Sequence, residues 1–376
     1  MNDVYAMIMA GGVGTRFWPW SRRERPKQLL SVAAETSLLR RAVARTLPLR
    51  GLAQIDVITT ASLYSATLAQ LQEAGRDGVD KALEAGTVRV VQEPCAKNTA
   101  ACIGFGLQLA LSAGFSDDAL LIALPADHFV GDDHAFLQDL ELARAHAETH
   151  PGVTTIGVPP TRPETGYGYL ELSDAGAASD GHTPARVLRF CEKPNAERAA
   201  KWLIGGKHLW NTGIFVAQLE WWRGAFESHM PELFLGLQRF ASATIGHDVG
   251  TPFPEDAAEI YAQLPAQSID YGVMEDAKDV WTVPARFPWS DVGSWEAIPS
   301  VMDTDEHGNV IRGDALVIDS ARNVILAEGQ RLVATVGLRD MVVVDTGDAV
   351  LVVPRERAQD VRKIVEALAK TREELL

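Results

Sequence analysis

Cysteine is scarce in this sequence, with three residues among 376 and no CxxC pair. An odd number of cysteines without metal-ligand spacing argues against a disulfide framework and against a structural zinc site. Long apolar runs are also missing, since none approaches the ~20 residues that cross a bilayer, so we expect no membrane association. The first residues, MNDVYAMIMAGG, lack the basic stretch of a secretory signal. Together these absences predict a cytoplasmic protein.

Positive charge is scarce as well. The chain has 35 Lys and Arg against 50 Asp and Glu, a formal net charge of −15. An acidic chain is a poor general partner for nucleic acid, and we expect none. Residues 1–50 are the exception, with nine Lys or Arg against three Asp or Glu. A basic segment in an acidic background indicates a compact anionic ligand.

The first half of the chain alternates apolar runs with helical stretches. This alternation predicts an α/β fold, a doubly wound and mostly parallel sheet with helices on both faces. The expected strands are Val4–Ala10, Ile55–Thr59, Val88–Gln92, Ala119–Leu124 and Val153–Val158. The expected helices are Ser37–Leu47, Ser62–Ala74, Asn98–Ala113 and Asp133–Thr149.

The pattern changes after residue 309, where short apolar runs begin near residues 315, 324, 332, 341 and 349. This spacing predicts a small all-β, β-helix-like domain, which a charged helix over 355–376 closes. We therefore expect two domains, 1–298 and 309–376. The short strands are suited to packing between subunits, and we expect a homodimer.

Three glycines, Gly11, Gly12 and Gly14, follow directly on the first predicted strand. Glycine lets backbone N–H groups approach an anion closely. The spacing is not that of a dinucleotide fingerprint, which would need glycine where Phe17 stands, and no GxxxxGK[ST] motif is present. The alternative is a surface loop with solvated arginines. A long glycine-rich loop after a buried strand favours a functional site.

The stretch AGGVGTRFWPWSRRERPKQLL, residues 10–30, resembles the signature of nucleotidyltransferases that make nucleoside-diphosphate sugars. Its PKQLL ending and its aromatic residues are similar to the branch of mannose-1-phosphate guanylyltransferases. The resemblance implies a Rossmann-like catalytic domain that transfers GMP from GTP to α-D-mannose 1-phosphate, giving GDP-mannose and pyrophosphate. Two alternatives stay open. One is a nucleotidyltransferase for another base or sugar, and the other is a non-catalytic relative that only binds nucleotide sugar.

The resemblance also assigns roles within this loop. It implies that the nucleotide phosphates are held by Gly11, Gly12, Gly14, Thr15 and Arg16. Arg16 and Lys27 would neutralise charge on the departing pyrophosphate, as the transition state of phosphoryl transfer requires.

Two aspartates are candidate metal ligands. LIALPADHFV brings Asp127 just past the end of a predicted buried strand, the edge at which parallel sheets bind ligands. FPWSDVGSW puts Asp291 in a loop bounded by glycine and tryptophan. Taken alone, each is more simply a turn or cap residue. The resemblance implies that both hold Mg²⁺, whose preferred ligands are carboxylate and phosphate oxygens, and that Asp127 is catalytic.

The segment EPCAKNTAACIG, residues 93–104, is the expected base-binding element. Asn98 is a suitable helix N-cap, and Glu93 offers acceptors to the N–H donors of guanine. An ordinary capped helix is the alternative. The resemblance implies that Glu93, Asn98 and Thr99 bind the nucleotide. The family pattern E-P-x-G-R-N-T-A has Gly-Arg where this chain has Ala96 and Lys97.

Three further motifs, PETGYGYLE, FCEKPN and LWNTGIF, resemble the sugar-phosphate half of the family's site. The residues expected to contact this substrate are Gly166, Tyr167, Glu192, Lys193 and Asn211. Glu192 would accept from sugar hydroxyls, and Lys193 would meet the phosphate as a point charge. A fourth motif, SIDYGVMED at 268–276, is expected to support the sugar without chemistry.

Overall fold

The computed structural model describes residues 2–12, 14–173 and 183–376. Within these residues nine strands form the main sheet. They are β1 (Val4–Met9), β2 (Leu52–Thr60), β3 (Val88–Glu93), β4 (Leu120–Pro125), β6 (Val153–Val158), β7 (Tyr169–Leu172), β8 (Ala185–Cys191), β9 (His208–Gln218) and β10 (Val280–Pro284). Their order across the sheet is β3-β2-β1-β4-β9-β6-β10-β8-β7.

Strand directions agree with the predicted α/β sheet. β1 pairs in parallel with β2 and β4, β2 with β3, and β6 with β10. The long strand β9 lies between β4 and β6 and is antiparallel to both. β8 is likewise antiparallel to β10 and β7. The Rossmann-like α/β architecture is therefore confirmed: seven of the nine strands run in one direction, and β8 and β9 are reversed.

Ten α-helices occur in the described part of the chain. They are α1 (Leu38–Thr46), α2 (Tyr64–Gln72), α3 (Val79–Glu84), α4 (Asn98–Ser112), α5 (Asp133–Thr149), α6 (Ala196–Gly205), α7 (Leu219–His229), α8 (Pro231–Ala243), α9 (Glu255–Ala262) and α10 (Val361–Thr371). α5 has the predicted bounds because Asp132 caps it, accepting from two backbone N–H groups of the first turn. Among the described helices, none combines the length and the apolar character that crossing a membrane requires.

Helix α4 is apolar on nearly every side because it is buried on nearly every side. Two glycines permit its close packing. A Cβ at Gly104 would overlap the side chain of Leu237 on α8, and one at Gly106 would overlap Met7 on β1. A larger residue at either position would therefore require the Leu237 or the Met7 side chain to move.

Six short strands follow residue 309. They are β12 (Val310–Gly313), β13 (Ala315–Ile318), β14 (Val324–Ala327), β15 (Val333–Val336), β16 (Met341–Asp345) and β17 (Val350–Pro354). β12, β14 and β16 stack in parallel, as do β13 and β15. Stacked parallel strands joined by short turns are the geometry of a β-helix, so the predicted β-helix-like unit is confirmed. β12 was not predicted, because only Val310 and Ile311 of its VIRG sequence are apolar.

The chain forms two compact units. The first comprises Met1–Gly11, Ala42–Ala126 and Asp132–Phe287, and the second comprises Gly12–Arg41, Asp127–Gly131 and Pro288–Leu376. In the second unit, Phe17, Trp18 and Trp20 of the glycine-rich segment share a buried core with Trp295 and the valines of β12, β14 and β16. These two units are grouped by contacts in space and combine segments that are distant in sequence. They therefore do not test the domain division expected along the chain, 1–298 and 309–376, which stays a prediction. All three cysteines are free thiols.

Candidate active site

A cavity of about 290 Å³ lies in the second unit, beside the glycine-rich segment. We call it the glycine-loop cavity. Its lining residues are Gly14, Thr15, Arg16, Phe17, Lys27, Asp127, His128, Asp291, Gly293 and Arg362. Six residues predicted to form the phosphate and metal site therefore line one space, namely Gly14, Thr15, Arg16, Lys27, Asp127 and Asp291.

Lys27 is the buried cation of this cavity. Its ammonium Nζ lies 2.6 Å from Asp127 Oδ2 and donates to the backbone oxygen of Asp291 at 2.5 Å. A buried ammonium is stable only when it is paired and hydrogen-bonded, and both conditions hold here. Burial by itself would raise the pKa of Asp127, but the Lys27 charge, with a smaller contribution from His128, keeps that pKa below its usual value. Asp127 is therefore ionised at neutral pH.

The glycine loop is shaped by contact with the segment that carries Lys27. Gly14 has φ +57°, and a Cβ there would lie 2.5 Å from Lys27 Cβ and 2.8 Å from Lys27 N. The neighbouring Gln28 donates from Nε2 to the backbone oxygen of Gly12 at 2.9 Å, and Ser21 Oγ donates to the backbone oxygen of Gly14 at 2.8 Å. The PKQ sequence thus braces the loop, and Gly14 is the residue that leaves room for it.

Asp291 reaches the cavity from a tight turn after β11 (Trp289–Ser290). Its Oδ1 accepts from the backbone N–H of Gly293 at 2.9 Å, which fixes the carboxylate. β11 pairs with β5 (Phe129–Val130), and Trp289 Nε1 donates to His128 Nδ1 at 3.3 Å. This small ladder positions the two aspartate-bearing loops in one unit.

The donor set limits what the site holds. Within residues 2–12, 14–173 and 183–376, no cluster of three or more His, Cys, Asp or Glu side chains could by itself hold a metal ion. Two carboxylates that line one cavity fit Mg²⁺, which is commonly bound through one or two carboxylates, water and substrate phosphates. Asp127 already pairs with one cation, the Lys27 ammonium.

Not all of the loop's positive charge faces the cavity. Arg22 Nη2 lies 2.9 Å from Asp348 Oδ1, and Arg23 Nη1 lies 2.5 Å from Glu373 Oε1. Arg25 pairs more loosely with Glu328, at 3.8 Å. The basic excess near the start of the chain therefore has two uses, since Arg16 and Lys27 line the cavity while these three arginines pair with acidic residues of the C-terminal part.

The first unit carries the predicted base-binding residues. Glu93 is buried, and its Oε1 accepts from the hydroxyl of Tyr261 at 2.8 Å. Burial raises the pKa of Glu93 to about 7, although the Tyr261 hydroxyl and the Lys97 backbone N–H oppose the shift. Its other oxygen lies 3.7 Å from the position of a Cβ at Gly11. At neutral pH this carboxyl is therefore divided between its acid and its carboxylate forms.

The start of α4 differs in detail from a capped helix. Asn98 is the first residue of the helix, with φ +69°, but the prediction that it is the N-cap is wrong, because Lys97 occupies that position and no side chain caps the helix. The Asn98 side chain accepts from the backbone N–H of Thr99, the next residue, at 2.8 Å. Thr99 Oγ1 accepts from the backbone N–H of Ile269 at 2.8 Å, so it anchors the SIDYGVMED segment to α4.

The predicted sugar-site residues also meet in the first unit. Lys193 Nζ donates to Glu192 Oε1, and the Lys193 backbone N–H donates to the Tyr167 backbone oxygen at 3.2 Å. Asn211 donates to Asp270 Oδ1 at 3.2 Å and accepts from Thr155 at 3.1 Å. Both ends of the Asn211 amide are thereby oriented.

The Glu192 carboxylate packs closely against the backbone of Gly168, where a Cβ would lie 2.6 Å from Glu192 Oε2. The predicted Gly166 is exposed, and its N–H donates to Glu164 Oε1 at 2.9 Å. The prediction that Gly166 contacts substrate stays open. Both glycines occur in the same quoted motif, but only the fold shows which of them makes room for Glu192.

Asp270, Tyr261 and Arg362 were missed by the sequence reasoning. Burial, and then the charge of Glu192, raise the pKa of Asp270 to about 6. The SIDYGVMED motif signalled Asp270 but gave it no contact. Tyr261 and Arg362 carry no motif, so no local signal indicated them.

Comparisons with known proteins agree over nearly the whole chain. A family model described as nucleotidyl transferase matches residues 5–308, and one described as the MannoseP isomerase/GMP-like beta-helix domain matches residues 313–368. The mannose-1-phosphate guanylyltransferase of Klebsiella pneumoniae is 36% identical over 368 residues, covering 96% of this chain and 73% of the relative. The xanthan biosynthesis protein XanB of Xanthomonas campestris pv. campestris is also 36% identical over 368 residues, covering 98% and 74%. A solved structure from Thermus thermophilus, described as mannose-1-phosphate geranyltransferase, is 34% identical with a TM-score of 0.81 and covers 98% of this chain and 99% of that one.

Proposed function

The chain belongs to the nucleotidyl transferase family, and we propose that it transfers GMP from GTP to α-D-mannose 1-phosphate, giving GDP-mannose and pyrophosphate. The similarity of nearly the whole chain to a mannose-1-phosphate guanylyltransferase carries this proposal. The charged glycine-loop cavity, with its buried Lys27–Asp127 pair, supports it.

In the proposed reaction an oxygen of the sugar phosphate attacks the α-phosphorus of GTP. One P–O bond forms, the bond between the α-phosphorus and the bridging oxygen breaks, and pyrophosphate leaves with the electron pair. A phosphate monoester has its second pKa near ~6, so the attacking group is already mostly dianionic at neutral pH and needs no general base. The protein's task is to hold two polyanions in line and to offset their repulsion.

The cations of the glycine-loop cavity suit the leaving group. Arg16 and Lys27 would offset the charge that develops on pyrophosphate. Gly12, Gly14 and Thr15 would offer backbone N–H groups to the phosphates. Because Lys27 is already braced by Asp127 and by the Asp291 carbonyl, it needs little reorganisation to act.

Asp127 and Asp291 would hold Mg²⁺ through their carboxylate oxygens. When bound, the ion supplies positive charge to the reacting phosphates. Asp127 is suited to this role because its pKa lies below the usual value, so it is an anion at neutral pH.

In the first unit, Glu93 would read the base. Guanine presents N1–H and N2–H donors, and the carboxylate oxygen not bonded to Tyr261 is an acceptor for them. Gly11, Asn98 and Thr99 would complete the nucleotide-binding set. Glu192 and Asn211 would bind the hydroxyls of the sugar, while Lys193, whose side chain is 54% exposed, would bind its phosphate.

The decisive experiment is a product assay. The purified full chain is incubated with each of four nucleoside triphosphates and with mannose 1-phosphate or glucose 1-phosphate, and products are separated by ion-exchange chromatography. We expect GDP-mannose from the GTP and mannose 1-phosphate pair at the highest kcat/KM. Product from a different pair would favour another nucleotidyltransferase, and binding without turnover would favour a regulatory relative. Light scattering on the same sample tests the proposed homodimer.

A further inference from the structure

The C-terminal helix contributes a cation to the glycine-loop cavity. Arg362, the second residue of α10, lines the cavity with Arg16 and Lys27. α10 packs against the short helical turn Thr15–Phe17, which carries Arg16. The chain beyond α10 is held to the same loop, because Trp18 Nε1 donates to the backbone oxygen of Leu375 at 2.8 Å. Arg362 is therefore presented by an element that is anchored to the loop.

The charges that line the cavity give this arginine a specific use. Lys27 is already engaged by Asp127 and by the Asp291 carbonyl. The lining also contains two carboxylates. A triphosphate brings about four negative charges, and the transition state moves more charge towards the leaving pyrophosphate. Counting the lining side chains alone, Arg16 and Lys27 only balance the two aspartates, so before any Mg²⁺ binds it is Arg362 that makes the cavity net positive.

Arg362 can be redirected towards an anion. Its Nε lies 3.1 Å from Glu366 Oε1, one helical turn along, and its side chain is 67% exposed. An exposed pair at this spacing holds its partners weakly. The planar guanidinium can donate to two phosphate oxygens at once. This bidentate contact is stronger than the exposed contact with Glu366, so a bound phosphate would displace Glu366 as the partner of Arg362.

We propose that Arg362 binds the terminal phosphates of the bound nucleotide and the departing pyrophosphate, so that α10 completes the anion site of the glycine loop. The proposal rests on the proposed function for the identity of these phosphates. It makes helix α10 a direct contributor to substrate binding, in addition to the core that its Val361 shares with Trp18 and Trp20.

The test compares Arg362→Met with Lys363→Met in the full-length protein. Lys363 is the next residue of α10, pairs with Asp360 at 2.7 Å and is not among the residues that line the cavity. Isothermal calorimetry measures the binding of inorganic pyrophosphate and of tripolyphosphate to each variant. We expect Arg362→Met to bind both anions roughly tenfold more weakly, the lower end for a charged hydrogen bond because solvent reaches the side chain. Lys363→Met is expected to change the affinity less than about twofold.

Steady-state kinetics gives a second readout. Arg362→Met is expected to raise KM for GTP, and for pyrophosphate in the reverse direction, while leaving KM for mannose 1-phosphate unchanged. Arg362→Lys keeps the positive charge but loses the bidentate geometry of the guanidinium. Its KM values for GTP and pyrophosphate are expected to lie between those of the wild type and Arg362→Met. Equal melting temperatures for the three variants would show that the losses are not due to unfolding.

Two results would overturn the proposal. One is an unchanged affinity for the anions in Arg362→Met. The other is an equal loss of affinity in Arg362→Met and Lys363→Met, which would mean that the anions respond to the overall positive charge of α10 and not to a contact with Arg362. Failure of the proposed function has a different signature. In that case the wild type forms no GDP-mannose, yet Arg362→Met still binds tripolyphosphate more weakly than Lys363→Met does.

Discussion

Replacing Gly14 with alanine tests whether the glycine loop is shaped by the segment that carries Lys27. The new Cβ would lie 2.5 Å from Lys27 Cβ and 2.8 Å from Lys27 N, so either the loop or the lysine segment has to move. The backbone of Gly14 also has φ +57°, a conformation that a Cβ disfavours. Left-handed strain costs about 1–2 kcal/mol, and overpacking adds about 1–3 kcal/mol. Together they predict a loss of about 2–5 kcal/mol in the free energy of unfolding.

The same overlap displaces Lys27 from Asp127 and from the Asp291 carbonyl. A misplacement of about 1 Å in a catalytic group lowers the rate by roughly 10²-fold. We therefore expect kcat/KM for GDP-mannose formation to fall about 10²-fold in Gly14→Ala. Urea unfolding followed by tryptophan fluorescence measures the stability, and the product assay measures kcat/KM.

Two other glycines separate strain from overlap. Gly86 has φ +77° but, among the described residues, no atom within 4 Å of its would-be Cβ, and Gly12 has neither a positive φ nor a close neighbour in that part of the chain. Gly86→Ala is expected to lose about 1–2 kcal/mol with unchanged kcat/KM, and Gly12→Ala to stay within about 0.5 kcal/mol of the wild type in stability. If Gly14→Ala behaves like Gly86→Ala in both measurements, the loop is not braced against Lys27 in the way described.

Three further predictions concern the charged residues. Asp291→Asn is expected to abolish most turnover at unchanged stability. Asp127→Asn should lower both turnover and melting temperature, because it leaves the buried Lys27 ammonium without its anionic partner. Kinetics and thermal unfolding distinguish the two variants, and full activity in excess EDTA would exclude the metal role. Ionised Glu93 accepts from the guanine N–H groups more strongly than its acid form. Because its pKa is raised to about 7, KM for GTP should fall as pH rises through about 7, and Glu93→Gln should remove this dependence and lower the GTP/ATP ratio of kcat/KM. A pH-independent KM in the wild type would mean that other groups read the base. Lys193→Met should raise KM for mannose 1-phosphate about 10-fold or more while sparing GTP binding. Lys27→Met should mainly lower kcat. The reverse pattern would place Lys27 at the sugar phosphate and Lys193 at the leaving pyrophosphate.

Local sequence patterns determined a large part of this fold. The buried strands and the helices between them were predicted because an apolar run or a helical repeat is a property of neighbouring residues. α5 has its predicted bounds because its cap lies within the same segment. The glycine loop was likewise identified as functional from residues that are adjacent in the chain, and the family resemblance added the roles of Lys27 and the two aspartates.

Strand order was decided only in three dimensions. β9 separates β4 from β6 although it follows both in the chain, and its pairing depends on which faces can be buried together. The same holds for the grouping of Trp18 and Trp20 with the C-terminal strands, which no composition boundary near residue 300 could indicate.

The site itself shows the same division. The sequence marked Arg16, Lys27 and Glu93, because each stands in a recognisable motif. It could not mark Arg362, which occupies an ordinary charged helix, or Tyr261, which donates to Glu93 from a helix far along the chain. A motif encodes the local backbone conformation that a ligand requires, whereas the partners that set charge and pKa are brought in by long-range packing, and packing depends on the burial of all the elements at once.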